Sequence, residues 1–276
     1  MWRGLYTAAS GMVTEMYRTD NIANNLSNAN TTGFKRDQVA VKEFAPMLLH
    51  RINDKEAKTT DVTKIKQFSV NPEIGPVVGV LGRGSDVAEI ATDYTQGSLM
   101  STGNPLDLAI SGEGYFSIQA RNGDITYTRD GNFYRSNDGT LVNVNGEAVL
   151  DTRGRSITIP AEYTTVVVGP EGRISGSMDG VNNAEIAQLQ FVAFDNPREQ
   201  LEKMGNNQQY RARADINPVP ATGSIQQGML ERANTNVVDE MVEMIASYRA
   251  YEANSKAVVT QDSLLDKAVN EVGRGT

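Results

Sequence analysis

From Thr235 onward, apolar residues recur at alternating steps of four and three. They are Val237, Met241, Met244, Tyr248, Tyr251, Val258, Leu265 and Val269, with only Ser255 and Asp262 breaking the series. That spacing predicts one long helix, Asn236 to Val272, whose seam packs lengthwise on other helices. Asn236 and Asp239 supply start signals, and Gly273 and Gly275 mark the end. Such a helix would run ~55 Å at ~1.5 Å per residue, longer than a small domain is wide. It needs a partner. Leu5, Ala8, Met12, Met16, Thr19, Ile22 and Leu26 recur at steps of three and four, which predicts a second helix over residues 3–28, ~39 Å long. Gly4 and Gly11 weaken it by up to ~1 kcal/mol each relative to alanine.

Asn21, Asn24, Asn25, Asn28 and Asn30 crowd the end of that helix. On propensity alone they are either a fraying terminus or amides that set helix register at some cost in stability. The matching seam at the other end of the chain favours the register role. Thr31-Thr32-Gly33-Phe34-Lys35 closes the segment, Gly33 taking a left-handed turn and Phe34 anchoring the chain as it leaves. Between residues 37 and 84 the pattern is weak. Val39, Val41 and Phe44 suggest a short strand or extended arm, and residues 53–66 a charged, Thr-rich loop. Asn71-Pro72, Gly75-Pro76 and Gly82-Arg83-Gly84 are turn signals. The Gly82–Gly84 pair lacks the third glycine and following helix of a dinucleotide fingerprint.

Residues 85–215 carry strand patterning. Leu106 to Ile110 alternates, Tyr115 to Gln119 follows a Gly-Glu-Gly turn, and Asn122-Gly123, Asp130-Gly131, Asp138-Gly139 and Asn145-Gly146 are hairpin turns. Further strands are expected at 87–94, 125–128, 141–144, 157–159, 166–168 and 186–194. Turns this frequent without intervening helices predict a barrel or sandwich. Residues 216–234, with Pro218, Pro220, Gly223 and Gly228, look like a return linker. The expected fold is therefore α+β. An N-terminal helical assembly segment (1–36) and an extended arm (37–84) precede an all-β body (85–224) and a C-terminal helical segment (225–276). The two helices pair as an antiparallel coiled coil.

Composition narrows the function. A net charge of −8 without a basic face argues against nucleic acid. With no cysteine and His50 as the single histidine, thiolate and multi-histidine metal sites are excluded. A triad would have to use His50, which has no nucleophile elbow to serve. Asp86, Glu89, Asp93, Asp107 and Glu113 suit solvated strand faces better than a glycosidase dyad. The oxygen-rich Asp130-Gly131-Asn132 and Asn137-Asp138-Gly139 lack a calcium loop ending in Glu. Asn25-Leu26-Ser27 and Asn30-Thr31-Thr32 match a glycosylation acceptor only formally, since they lie on or just after a helical seam. No catalytic residue, cofactor or metal is expected. No run of ~18 apolar residues is present for membrane insertion, and the N-terminus lacks the apolar core and cleavage site of a signal peptide. Two exposed seams on a compact body make an assembly device. Heterologous contacts that do not close would give a helical filament.

Ile22-Ala23-Asn24-Asn25-Leu26-Ser27-Asn28-Ala29-Asn30-Thr31-Thr32-Gly33-Phe34-Lys35 closely resembles the N-terminal signature of bacterial flagellar rod and hook proteins. Asn236 to Ile245, continuing through Arg249 to Lys256, is similar to the partner signature at the other end. Gly97-Ser98-Leu99, Thr102 to Asp107 and Tyr127 to Phe133 resemble the body of the rod proteins. The resemblance covers nearly the whole chain in order. It implies a structural subunit of the flagellar basal-body rod, polymerising through its terminal helices into a tube that transmits torque from motor to hook. Its partners would be itself, other rod and hook axial proteins and the flagellar type III export apparatus, which would explain export without a cleaved signal. The opening Arg3 to Met12 leans toward the proximal over the distal rod type. The residues expected at the assembly interface are Leu5, Met12, Met16, Ile22, Asn24, Asn25, Leu26 and Phe34, with Val237, Met241, Met244, Tyr248, Tyr251, Val258, Leu265 and Val269. The alternative is a surface or periplasmic binding module whose β body holds a saccharide and whose helices only tether it.

Overall fold

The computed structural model describes residues 2–50, 77–178, 183–205, 208–214 and 216–270. The expected loop at 53–66, the turns at Asn71-Pro72 and Gly75-Pro76, and the helix stop at Gly273 and Gly275 lie outside those residues. The fold is α+β: long helices at Trp2–Ser27 and Val237–Asn270 enclose, in sequence, a chain of strands in several sheets. No helix among the described residues is long and apolar enough to cross a membrane.

Two compact units are distinguished. The first comprises Met1–Asp20, Val39–Ile90 and Ile245–Thr276; the second comprises Asn21–Gln38 and Ala91–Met244. In the first unit, Met47–His50 pairs antiparallel with Val77–Leu81, with a register shift at Leu49/His50. A second two-stranded ribbon joins Asp37–Glu43 to Ser85–Thr92. Among the described residues of the expected arm, each strand finds a partner for its backbone groups.

The second unit holds the larger core. A nine-stranded sheet runs Leu201–Lys203, Gln209–Ala212, Ile125–Thr128, Tyr115–Gln119, Ala148–Val149, Leu141–Asn143, Phe133–Arg135. Phe191–Ala193 also pairs with Tyr115–Gln119, carrying Val219–Pro220 on its other side. Tyr115–Gln119 is buried on both faces. Phe116 and Ile118 enter one apolar cluster with Phe133, Leu141 and Ile225, while Tyr115 enters a second with Tyr127, Phe194 and Tyr210. Period-two side-chain alternation sends neighbours to opposite faces, so this one strand supplies both cores. Phe116 packs edge-on against Phe133 at 5.2 Å, and Tyr127 against Phe194 at 5.0 Å.

Three differences from the sequence expectation have local causes. Ile157 and Ile159 are fully buried but form no strand, since their N–H groups donate to Val149 O and Gly139 O and Pro160 ends the run. The stretch 186–194 splits into Asn183–Gln188 and Phe191–Ala193, which serve different sheets. Residues 216–234 are not a bare linker: Ser224–Gln227 pairs with Leu108–Ser111, and Met229–Glu231 with Leu99–Ser101.

Candidate assembly surface and its anchor

In the first unit the terminal helices meet through small and polar residues. A Cβ on Gly4 would lie 3.1 Å from Gln261 Nε2, and one on Gly11 would lie 2.7 Å from Asn254 Nδ2. Ser247 Oγ donates to Glu15 Oε2 at 2.7 Å and lies 3.0 Å from Thr19 Oγ1. As numbers rise on one helix they fall on the other, so the segments run antiparallel. Gly4 and Gly11 stand seven apart, as do Ser247, Asn254 and Gln261, which keeps each set on one helix face. The glycines that weaken the isolated helix give room for the amides of its partner.

In the second unit the N-terminal helix is tied to the chain that leaves it. Asn25 Oδ1 accepts from Asp37 N at 3.0 Å and Asn25 Nδ2 donates to Asp37 O at 2.9 Å, so one amide holds a whole residue's backbone. The same Nδ2 lies 3.4 Å from Glu240 Oε2 of the C-terminal helix. Burial is the main cause that raises the Glu240 carboxyl above its ordinary range, and the Asn25 contact opposes it. Asn25 therefore acts as a positioning amide within the chain. Gly33 follows at φ +67°, where a Cβ would come within 2.4 Å of Asp130 N. Both the turn and the close approach require glycine. Asp130, considered above as an oxygen ligand, uses Oδ1 to accept from Thr32 Oγ1 and Asn132 N.

Phe34 and Lys35 are then fully buried. Lys35 Nζ donates to Glu231 Oε1 at 2.5 Å and to Thr95 O at 2.7 Å. Glu231 Oε2 accepts from Arg129 Nη1 at 3.3 Å, and Glu231 Oε1 from Gly97 N at 2.9 Å. Arg129 stacks over Tyr115 at 5.1 Å and Lys203 over Phe34 at 4.5 Å. Two cations thus share one buried carboxylate. Burial, only partly offset by Glu231, holds the Lys35 ammonium below the usual lysine range. Sequence reading placed Phe34 here but missed Lys35, Arg129 and Glu231, because no local pattern links residues this far apart. The available signal was a lysine directly after an anchoring aromatic.

Residues 5–35 match the family described as Flagella basal body rod protein. Residues 226–271 match Flagellar basal body rod FlgEFG protein C-terminal, and residues 109–176 match Flagellar hook protein FlgE/F/G D1 domain. The flagellar basal-body rod protein FlgG of Borreliella burgdorferi is 35% identical over 98% of both chains. This chain belongs to the flagellar basal-body rod proteins. FlgG of Bacillus subtilis is 34% identical, covering 98% of this chain and 99% of its own. FlgF of Caulobacter vibrioides is also 34% identical, over 99% of both chains. Identities of 34–35% to relatives under the two names do not rank one rod type above the other.

In this rod protein, the matched end segments hold both the helix pair and the anchor. Ile22, Asn25 and Phe34 are buried within the chain, and Leu5, Met12, Leu26, Met244, Val258 and Leu265 are half-buried. Asn24 is exposed, as are Met16, Val237 and Tyr251. Met241 is 49% exposed, Tyr248 57% and Val269 72%. The face of the C-terminal helix turned to its partner carries Glu240, Ser247, Asn254 and Gln261, beside the apolar series. Met241, Tyr248 and Val269 are left outside it.

Proposed function

We propose that the chain is a structural subunit of the flagellar basal-body rod that polymerises through its terminal helices into a torque-transmitting tube. The observation that carries this is a division of labour on the helices. Within one chain, small and polar residues make the closest helix contacts, while Met16, Met241, Tyr248 and Val269 of the same helices stay exposed. Solvent-exposed apolar stripes of this extent mark interaction surfaces. In the assembled tube the helices form an antiparallel coiled coil whose outer apolar positions are covered by neighbouring copies. The role is structural rather than catalytic. Its partners are other copies, rod and hook axial proteins and the flagellar type III export apparatus, and its place is the basal body.

Met241→Asp and Val269→Asp test this, because both side chains are exposed in the single chain and should leave its fold intact. Each variant should keep the parent's thermal transition yet fail to polymerise, as followed by sedimentation. Normal polymers from both variants would refute helix-driven assembly.

A further inference from the structure

Three stretches of the second unit, far apart in sequence, meet around Glu231. They are the exit of the N-terminal helix (residues 31–36), the irregular stretch 93–98 and the approach to the C-terminal helix (residues 231–236). The two chain ends bond to each other directly. Gly33 N donates to Glu231 O at 2.8 Å, Lys35 Nζ to Glu231 Oε1 at 2.5 Å, and Arg36 N to Asn234 Oδ1 at 2.8 Å. Both ends also hold the middle stretch. Thr95 O accepts from Lys35 Nζ at 2.7 Å and from Asn234 Nδ2 at 3.2 Å, while Asp93 O accepts from Asn234 Nδ2 at 2.8 Å. Arg232 N donates to Ser98 O and Asp93 N to Arg36 O, each at 2.9 Å. Asp37, the next residue, is held separately by Asn25, Thr92 and Lys203.

The charges make this mutual hold unequal. Lys35, Glu231 and Arg129 are all buried. If the C-terminal stretch left alone, Lys35 and Arg129 would share the interior with no carboxylate between them. Asp93, the next acid in reach of Lys35, is already paired with Arg36 at 3.3 Å. An uncompensated buried charge is the costly result of removing one partner of a buried pair. If the N-terminal stretch left alone, Glu231 would keep Arg129 Nη1 at 3.3 Å and Gly97 N at 2.9 Å, a balanced pair. We propose that the two ends form a one-way latch, in which residues 31–36 can leave the body alone but residues 231–236 leave only with them. The coupling between the ends is reciprocal in free energy; the charges decide which half-open state is tolerated. The latch belongs to the single chain and goes beyond the polymerisation reading, which stands or falls separately.

Two glycines allow each end to be displaced by sterics. A Cβ on Gly33 would come within 2.4 Å of Asp130 N, and one on Gly97 within 2.0 Å of Arg232 O. Gly33→Ala therefore pushes out the N-terminal stretch and Gly97→Ala the C-terminal one. Amide hydrogen exchange on the full chain, followed by mass spectrometry, reads both ends. Gly33→Ala should speed exchange tenfold or more in residues 29–36 and leave residues 229–236 within twofold of the parent. Gly97→Ala should speed both by tenfold or more. Adding Lys35→Met to Gly97→Ala removes the stranded cation and should slow residues 29–36 again by threefold or more, which a mere loss of shared backbone bonds would not allow. Where a clash prevents folding, Phe34→Ala and Asn234→Ala loosen the same two ends without one, and the same outcomes apply. The proposal is overturned if displacing the N-terminal stretch releases residues 229–236 equally, if residues 29–36 stay protected when the C-terminal stretch is displaced, or if Lys35→Met restores nothing.

Discussion

Glu231 is the residue on which the second unit's charges converge. It is fully buried, and its carboxylate serves Lys35, Arg129 and the Gly97 amide together. Breaking a buried pair by removing one partner is costly because the other charge stays uncompensated. Glu231→Gln strands two cations and should cost about 3–5 kcal/mol or more. Lys35→Met leaves Arg129 and Glu231 as a neutral pair, so its cost should be closer to the ~1–3 kcal/mol of an unsatisfied buried group. Urea unfolding of both variants decides the point, and equal losses would mean that charge balance does not govern the site. Phe34 and Gly33 were legible as an anchor and a turn from their residue types. The ion cluster was not, since a buried lysine looks like any surface lysine until its partner, 196 positions away, is placed beside it.

At the scale of the helices, periodicity was the readable quantity and orientation was not. The step pattern located both elements and put Met244, Val258 and Leu265 on half-buried positions. It also put Met241, Tyr248 and Val269 on the seam of the assembly interface; in the single chain these are exposed, and the partner helix is met by Ser247, Asn254 and Gln261. The clue lay in Gly4 and Gly11, whose sevenfold spacing marks a face that admits bulk from the other helix. Gly11→Ala gains up to ~1 kcal/mol in helix propensity but places its Cβ 2.7 Å from Asn254 Nδ2. Gly11→Ala should therefore be neutral or destabilising alone and stabilising with Asn254→Ala. A double-mutant cycle should show a coupling of ~0.5–3 kcal/mol; simple additivity would mean that the amide moves away freely.

Glu240 gives the same helix a pH response. Its carboxyl is raised above the usual range by burial, so the folded chain holds that proton more tightly than the unfolded one. The stability it contributes is fully present below the ordinary glutamate pKa and is lost as pH rises through the raised value. Glu240→Gln should flatten the stability profile across that window and leave the protein more stable at pH 7. Denaturant titrations of parent and variant at several pH values measure it, and parallel profiles would remove Glu240 as the source.

For the whole molecule, the strand content of residues 85–215 was readable from turn pairs and alternation, but the long-range pairings that build the β-rich unit were not. Asn21–Gln38 belongs to that unit, and so does the stretch through Met244. Short strands such as Leu201–Lys203, Gln209–Ala212 and Met229–Glu231 are too brief to show a period, and pairing across long separations defines them. A fragment of residues 85–224 lacks the Phe34–Lys35 anchor, the partner of Leu99–Ser101 and, save Ser224, the partner of Leu108–Ser111. It should melt well below a fragment of residues 29–236 in a thermal scan. Equal melting would show that the anchor adds nothing to the body.

The link between Lys35 and Glu231 also sets an order on synthesis. A ribosome has made most of the chain before Glu231 appears, so until then Lys35 has no carboxylate to meet and Phe34 has no completed wall to pack against. Until then the N-terminal segment stays unfinished, and contacts this distant in sequence form slowly. A chain stalled or cut short of residue 231 would keep that aromatic–lysine segment undocked.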